Sequence, residues 1–310
     1  MAGLTLLESA KLHGGDEYAQ AITELYAETS DILRVLPFRT IQGNAYHYNV
    51  ETTLPGIAFR GVNGSWTAGA GIVNPETEHL TISGGEVDVD RFLVKTQEPH
   101  TRGTHVNMKV KHLAHNWVYK FIKGSSATTP AEFDGLQTRL TGDQKISMGN
   151  TSGGVVLSLA KLDQLIDSVA EPTHLIMSRA MRRLLTAAAR LTTVGGDIRW
   201  EINQFGRRIA MYGDLPILIA DSLTDYYDTL GFDEADEGAG GTACTSIYCV
   251  SFRDGMLEGI HNAPPSVEDL GEISSSPVYR TRVEWYSGLL LQHPKAAARL
   301  WSIKTGAVTV

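Results

Sequence analysis

The sequence predicts a mixed α+β fold, and three observations predict it. One long amphipathic helix over residues 103–123 places Val106, Val110, Leu113, Ala114, Trp117, Val118 and Phe121 on a single face. Before and after it lie short runs with the period-two alternation of strands, in residues 38–95 and again in 198–303. Hydrophobic residues at 42% and charged residues at 20% of 310 positions can fill about two domains' worth of core, and they exclude disordered, collagen-like and membrane classes.

Each element follows from its local pattern. Tyr18, Ile22, Leu25, Ile32 and Leu36 recur at spacings of three, four and seven, so residues 16–36 read as an amphipathic helix with Asp16 as N-cap. Its apolar face must rest on the body of the chain or on a neighbouring copy. From Phe38 to Lys95 short alternating strands such as 45–50 (AYHYNV) flank a Gly-rich middle, Gly61 to Gly71, and a returning run spans His79 to Val94. This is a hairpin-like arm with Trp66 at its tip, and two readings stand side by side: contact with a partner, or folding against its own domain. After the long helix, stopped by Gly124, a second domain begins beyond Gly154. It has a helix over 159–169, a strand over 174–177, a helix from Ser178 to Leu191, a hairpin 198–202/208–212 across residues 203–207, and a buried strand over 215–220. The chain closes with a strand over 246–252, an Asp-Gly turn at Asp254 and Gly255, and strands near 278–291 and 297–303.

Formal net charge is −8, the wrong sign for a chain that grips phosphates over its whole surface. Only a local basic face suits that role, and the long helix supplies one: His105, Lys109, His112, Asn116, Lys120 and Lys123 share its other side, opposed only by Glu98 upstream. Between Ser222 and Thr242 stand Asp225, Asp228, Asp233, Glu234, Asp236 and Glu237 with no Lys or Arg, the composition of a solvated acidic loop whose spacing does not match a calcium-binding EF-hand. Cys244 and Cys249 lie five apart in a strand-like run, point to opposite faces and read as packing residues, not as a disulfide or a zinc pair. No run reaches ~18 apolar residues and Glu8 interrupts the first residues, so neither a membrane span nor a secretory leader is expected, and the chain is expected to stay where it is made.

Local signatures of catalysis are missing: no HExxH, GxSxG, Walker loop or GxGxxG occurs. The strongest remaining cluster is His105, His112 and His115 on the long helix. A metal would need a further ligand and a concave setting; a solvated basic face with titratable histidines is the simpler reading. No cofactor is expected.

The order of elements, together with residues 36–43 (LPFRTIQG), 59–63 (FRGVN), 131–136 (AEFDGL) and 212–221 (YGDLPILIAD), resembles the major capsid proteins of tailed bacteriophages, with the Hong Kong 97-like capsid fold. The resemblance implies an N-arm over 1–40, an extended loop over 41–90, a peripheral domain with a spine helix over 91–154 and 266–310, and an axial domain over 155–265. It implies a non-enzymatic protein that forms hexamers and pentamers of an icosahedral shell around double-stranded DNA, assembled in the bacterial cytoplasm and carried in the virion. The implied partners are further copies of the chain, a portal protein, a separate scaffolding protein because only a short helix precedes the arm, and in some relatives a cement or decoration protein. Arg60, Asn63 and Trp66 then become inter-subunit contacts, and the basic strip is expected to face the lumen and the packaged DNA. Some relatives weld the extended loop to a neighbour through a Lys, yet no Lys occurs between Lys11 and Lys95. The alternatives are an encapsulin-type nanocompartment shell and, from another class, a metal-dependent enzyme using the helix histidines.

Overall fold

In the computed structural model, residues 4–5, 25, 30–96, 101–190, 198–202, 208–221, 228–241 and 243–309 are described. A short strand β1 (Leu4–Thr5) pairs with β2 (Pro37–Thr40), and between them helix α1 (Asp31–Val35) starts at Ser30, whose hydroxyl accepts from the Ile32 amide. Ser30 is extended (φ −134°, ψ 138°), so the uninterrupted helix expected through residue 36 is broken there. Asp16, Tyr18 and Ile22 of that expectation lie outside the described residues. Ile32 and Leu36 are fully buried, and Leu25 packs against the same core.

Strands β3 (Ala45–Thr53) and β4 (Ile72–His79) form the arm, a two-stranded antiparallel hairpin in register from Ala45↔His79 to Thr53↔Ile72. The expected return strand starts too late: β5 (Thr81–Asp90) has left the arm, and helix α2 (Arg91–Thr96) ends the run. The reason is β5's partner. It pairs with β15 (Val278–Leu291) along ten consecutive residues, a far longer ladder than the arm offers it.

Helix α3 (Thr101–Lys123) lies across that sheet, as its 3.6-residue apolar stripe requires. Trp117 sits at the centre of an aromatic nest, its ring 5.6–5.7 Å from those of Phe38, Phe121, Phe133 and Trp285, and its indole N–H donates to the Ser287 hydroxyl at 3.0 Å. Three elements are thereby tied to one helix position. Gly259 makes room for the nest: a Cβ there would stand 2.3 Å from the Phe38 ring.

Helix α4 (Leu136–Arg139), a 3₁₀ turn Gly142–Gln144, β6 (Lys145–Ser147) and β7 (Val155–Ser158) lead to α5 (Leu159–Asp167), β8 (His174–Met177) and α6 (Arg179–Ala189). Ser178 caps α6 as expected, its hydroxyl accepting from the Met181 amide. Then follow β9 (Ile198–Ile202), β10 (Arg208–Tyr212), β11 (Leu215–Ile219), β12 (Cys244–Val250), β13 (Leu257–His261), β14 (Ser266–Glu272), β15 and β16 (Ala297–Thr309).

Two sheets result. One runs β1-β2-β13-β15-β14 with β5 on the other edge of β15, and the other runs β6-β16-β12-β8-β11-β10-β9 with β7 beside β16. β16, from the segment 266–310, pairs with β12 in the second sheet, and β13, from the segment 155–265, pairs with β2 and β15 in the first. Residues 297–303 are buried on both faces apart from the half-buried Trp301, with Arg299 paired to Glu234, as suits a strand in the middle of a covered sheet.

That covered sheet separates two cores. Ile176, Leu218, Tyr248, Val250 and Ala297 point to the α3 side, while Leu175, Met177, Ile217, Ile219, Ile247, Cys249 and Leu300 point to the side closed by α5 and α6. The strict alternation along β8, β11 and β12 comes from the period of two, and burial of both faces is why β12 reads as one apolar run. Both cysteines are free and buried.

At the start of β8, His174 packs its ring 5.2 Å from Phe252, and burial depresses its pKa from 6.5 to about 4. The folded state therefore binds this proton later than the unfolded chain. Stability contributed by neutral His174 is whole above about 6.5 and is lost progressively as pH falls toward about 4. Urea midpoints measured across that window should decline for the native protein and less for His174→Gln; equal declines would sink the assignment.

Candidate assembly surface

The arm stands on a polar base. Glu78 of β4 forms a two-pronged ion pair with Arg139 of α4, and the second prong, from Nη2, measures 2.8 Å. Both side chains are largely buried, and burial alone would lower the Arg139 pKa; the Glu78 contact reverses this and raises it. On the facing strand, the Tyr46 hydroxyl accepts from Arg39 at 3.0 Å, and Arg39 is in turn held by both carboxylate oxygens of Glu258 at 2.8 and 3.0 Å. The Tyr48 hydroxyl donates to the Leu291 carbonyl at 3.1 Å. These contacts fix where the arm leaves the body.

Beyond them the arm touches little of its own chain. Between Leu54 and Val73 the apolar side chains are open to solvent: Ile57 is 95%, Phe59 105%, Val62 96% and Trp66 65% exposed. The tip is a turn in which the Gly64 amide donates to the Gly61 carbonyl at 3.1 Å and Asn63 takes φ 67°. Arg60 stacks over the Trp66 indole at 4.3 Å and donates to the Gly64 carbonyl, and the indole N–H donates to the Ala58 carbonyl at 3.1 Å. Arg60, Asn63 and Trp66 are thus brought together as one rigidified knob. Phe59, Ile57 and Val62, which the sequence reading passed over, share the same exposed segment; the signal was their density in a Gly-rich stretch with nothing nearby to cover them.

The basic strip is corrected by its neighbours in space. His105 and His112 are exposed, and Lys109 is half-buried against Gly84 and Gly85. Lys120, however, pairs with Glu132 at 2.7 Å, and Lys123 pairs with Asp233 at 2.9 Å. Acidic residues from other elements therefore neutralise the lower half of the strip, which local sequence could not reveal. Half-burial, then the nearby charges of His112 and Lys111, lowers the pKa of His115. Among the described residues no three His, Cys, Asp or Glu side chains converge to hold a metal.

The acidic loop is not simply solvated. Asp225 lies outside the described residues, and Asp228, Asp233 and Glu237 are exposed, but Glu234 and Asp236 are buried. Glu234 meets Arg299 at 2.9 Å with both side chains almost wholly enclosed, and it accepts from Ser246. The Asp236 carboxylate accepts from the amides of Gly153, Gly240 and Gly241. Burial alone would raise its pKa; the three amides outweigh that and hold it low. This segment is a latch across the end of the second sheet.

No family model and no curated protein matches the sequence. Solved structures do. The chain is similar to the holo-SrpI encapsulin complex from Synechococcus elongatus PCC 7942 at 16% identity and TM-score 0.66, covering 97% of this chain and 96% of that one. It is similar to the capsid of the native GTA particle at 13% identity and TM-score 0.63, covering 89% and 91%. A structure from Mycobacterium phage Adephagia matches at 11% identity and TM-score 0.63, covering 89% and 90%. The chain has the Hong Kong 97-type capsid fold.

Proposed function

We propose that this chain is the building block of a closed icosahedral shell and has no catalytic role. The observation that carries the reading is the arm. A stable monomer has no use for a braced hairpin whose far end presents Leu54, Ile57, Phe59, Val62, Trp66, Ile72 and Val73 to water, whereas a neighbouring copy can cover them. The fold shared with capsid and encapsulin chains supports the same reading. Electron microscopy of the purified recombinant protein, with and without a co-expressed scaffold, tests it: closed particles are expected, and subunits that stay dispersed under both conditions overturn it.

Within that reading we favour a phage-type capsid. Hexamers and pentamers would enclose double-stranded DNA in the virion, with scaffolding, portal and decoration proteins as partners. An encapsulin-type compartment is the second reading, favoured by a match that spans almost all of both chains. Portal and terminase genes beside this one support the capsid; a cargo-enzyme gene supports the compartment.

The mature shell is expected to hold without covalent links. The arm between Ala45 and His79 contains no Lys, and burial pushes the Cys249 thiol up to about 12, which leaves almost no reactive thiolate at neutral pH. Boiled particles should run as monomer on denaturing gels with or without reductant. A ladder of higher bands would refute this.

A further inference from the structure

Many arginines of this acidic chain are held by a carboxylate, among them Arg39, Arg139, Arg280, Arg282 and Arg299. A different arrangement lies where α1, α6 and β10 meet. Arg34 from the last turn of α1, Arg182 from the first turn of α6 and Arg208 at the start of β10 line one cavity of about 180 Å³. Among the described residues that line it, the one carboxylate is Asp31, which reaches Arg34 at 3.5 Å in a largely solvent-screened pair three residues apart. Neither Arg182 nor Arg208 has an acidic partner among the described residues. Three guanidinium groups against one carboxylate leave a local excess of positive charge on a chain whose overall charge is −8.

The first turn of α6 contains no acidic residue and carries both Arg179 and Arg182; the Asp221 carboxylate meets that helix end by accepting from the Arg179 amide at 2.8 Å, but it does not line the cavity and leaves Arg182 unopposed there. Ala210, Ile217, Leu218 and Ile219, all buried, also line the cavity, and like charges are screened poorly where little water enters. An anion in the cavity relieves the mutual repulsion of the guanidiniums. A carboxylate is commonly satisfied by one bidentate arginine, whereas a phosphate presents enough oxygens for guanidinium forks from three separate elements.

We infer that this cavity binds a phosphate group, supplied by a nucleic-acid backbone or as free phosphate. The site lies within one subunit, so it stands or falls independently of whether shells form. It was invisible in the sequence because residues 34, 182 and 208 meet only in space.

Calorimetric titration of the full-length protein with inorganic phosphate, at ionic strength matched with sodium chloride, tests it. Binding is expected for the wild type. Arg182→Gln with Arg208→Gln should weaken it roughly tenfold to a hundredfold, the effect of losing charge-assisted hydrogen bonds. Arg182→Lys, which keeps the charge without the fork, should fall between. Should the double variant fail to fold, Arg34→Gln and Arg182→Lys carry the comparison. Absence of phosphate binding by the wild type, or equal binding by the variants, overturns the inference. A short DNA duplex added in competition separates the sources. Displacement of phosphate, with a salt slope reduced by about two in the double variant, assigns the site to nucleic acid; no displacement assigns it to free phosphate.

Discussion

Arg299→Ala should lower the unfolding free energy of the subunit by about 3–5 kcal/mol. Arg299 and Glu234 are 4% and 3% exposed and meet at 2.9 Å, so removing the guanidinium leaves a carboxylate enclosed without its counter-charge. The loss extends further. The Arg299 Nε donates to the Ser246 hydroxyl at 3.0 Å, and the guanidinium lies over the Tyr248 and Trp301 rings at 5.9 and 5.8 Å. Breaking one partner is costly, whereas replacing both is not: Glu234→Gln combined with Arg299→Met should cost much less than the single alanine change, because no charge is stranded. Urea unfolding of the soluble subunit checks both. A loss below about 1 kcal/mol for Arg299→Ala would show that water reaches the pair.

If the chain forms the proposed shell, Arg60→Ala with Trp66→Ala should leave a soluble subunit with native melting behaviour and abolish or destabilise the particles. Trp66 makes its contacts within the tip alone, through the Ala58 carbonyl and the Arg60 guanidinium, so the body does not depend on it. Tryptophan and arginine dominate interface energetics when a partner covers them. Every subunit repeats the contact, so even ~1.4 kcal/mol per contact, tenfold in one equilibrium constant, compounds over a shell. Particles as abundant and heat-resistant as wild type would show that the arm is not the clamp. A subunit that unfolds instead would place Trp66 in its own core.

The sequence made the local elements legible and the long-range ones not. The α3 stripe, the Ser178 cap, the β9–β10 hairpin and the exposed Trp66 were all readable because period, cap chemistry and glycine content are properties of neighbouring residues. Sheet membership was not, since β16 and β13 are placed by pairings with β12 and β2, strands far away in the chain. Charge failed for the same reason. Lys120 and Lys123 looked unopposed until Glu132 and Asp233 approached from elsewhere, and Glu234 looked solvated until Arg299 closed over it. The polar strand β14 and the short β13 carry too little alternation to be recognised alone.

The second sheet is the common wall of both cores, and this bears on how the subunit can deform. With Tyr248 and Val250 in one core and Ile247 and Cys249 in the other, neither half can melt without exposing the back of the other. Heat should therefore produce a single calorimetric transition, not one per half. The amides of β12 should be the last to exchange with deuterium, opening only when the whole subunit does. In the proposed shell such bricks would move as solid pieces, with any change of shape left to the arms and to the seams between copies.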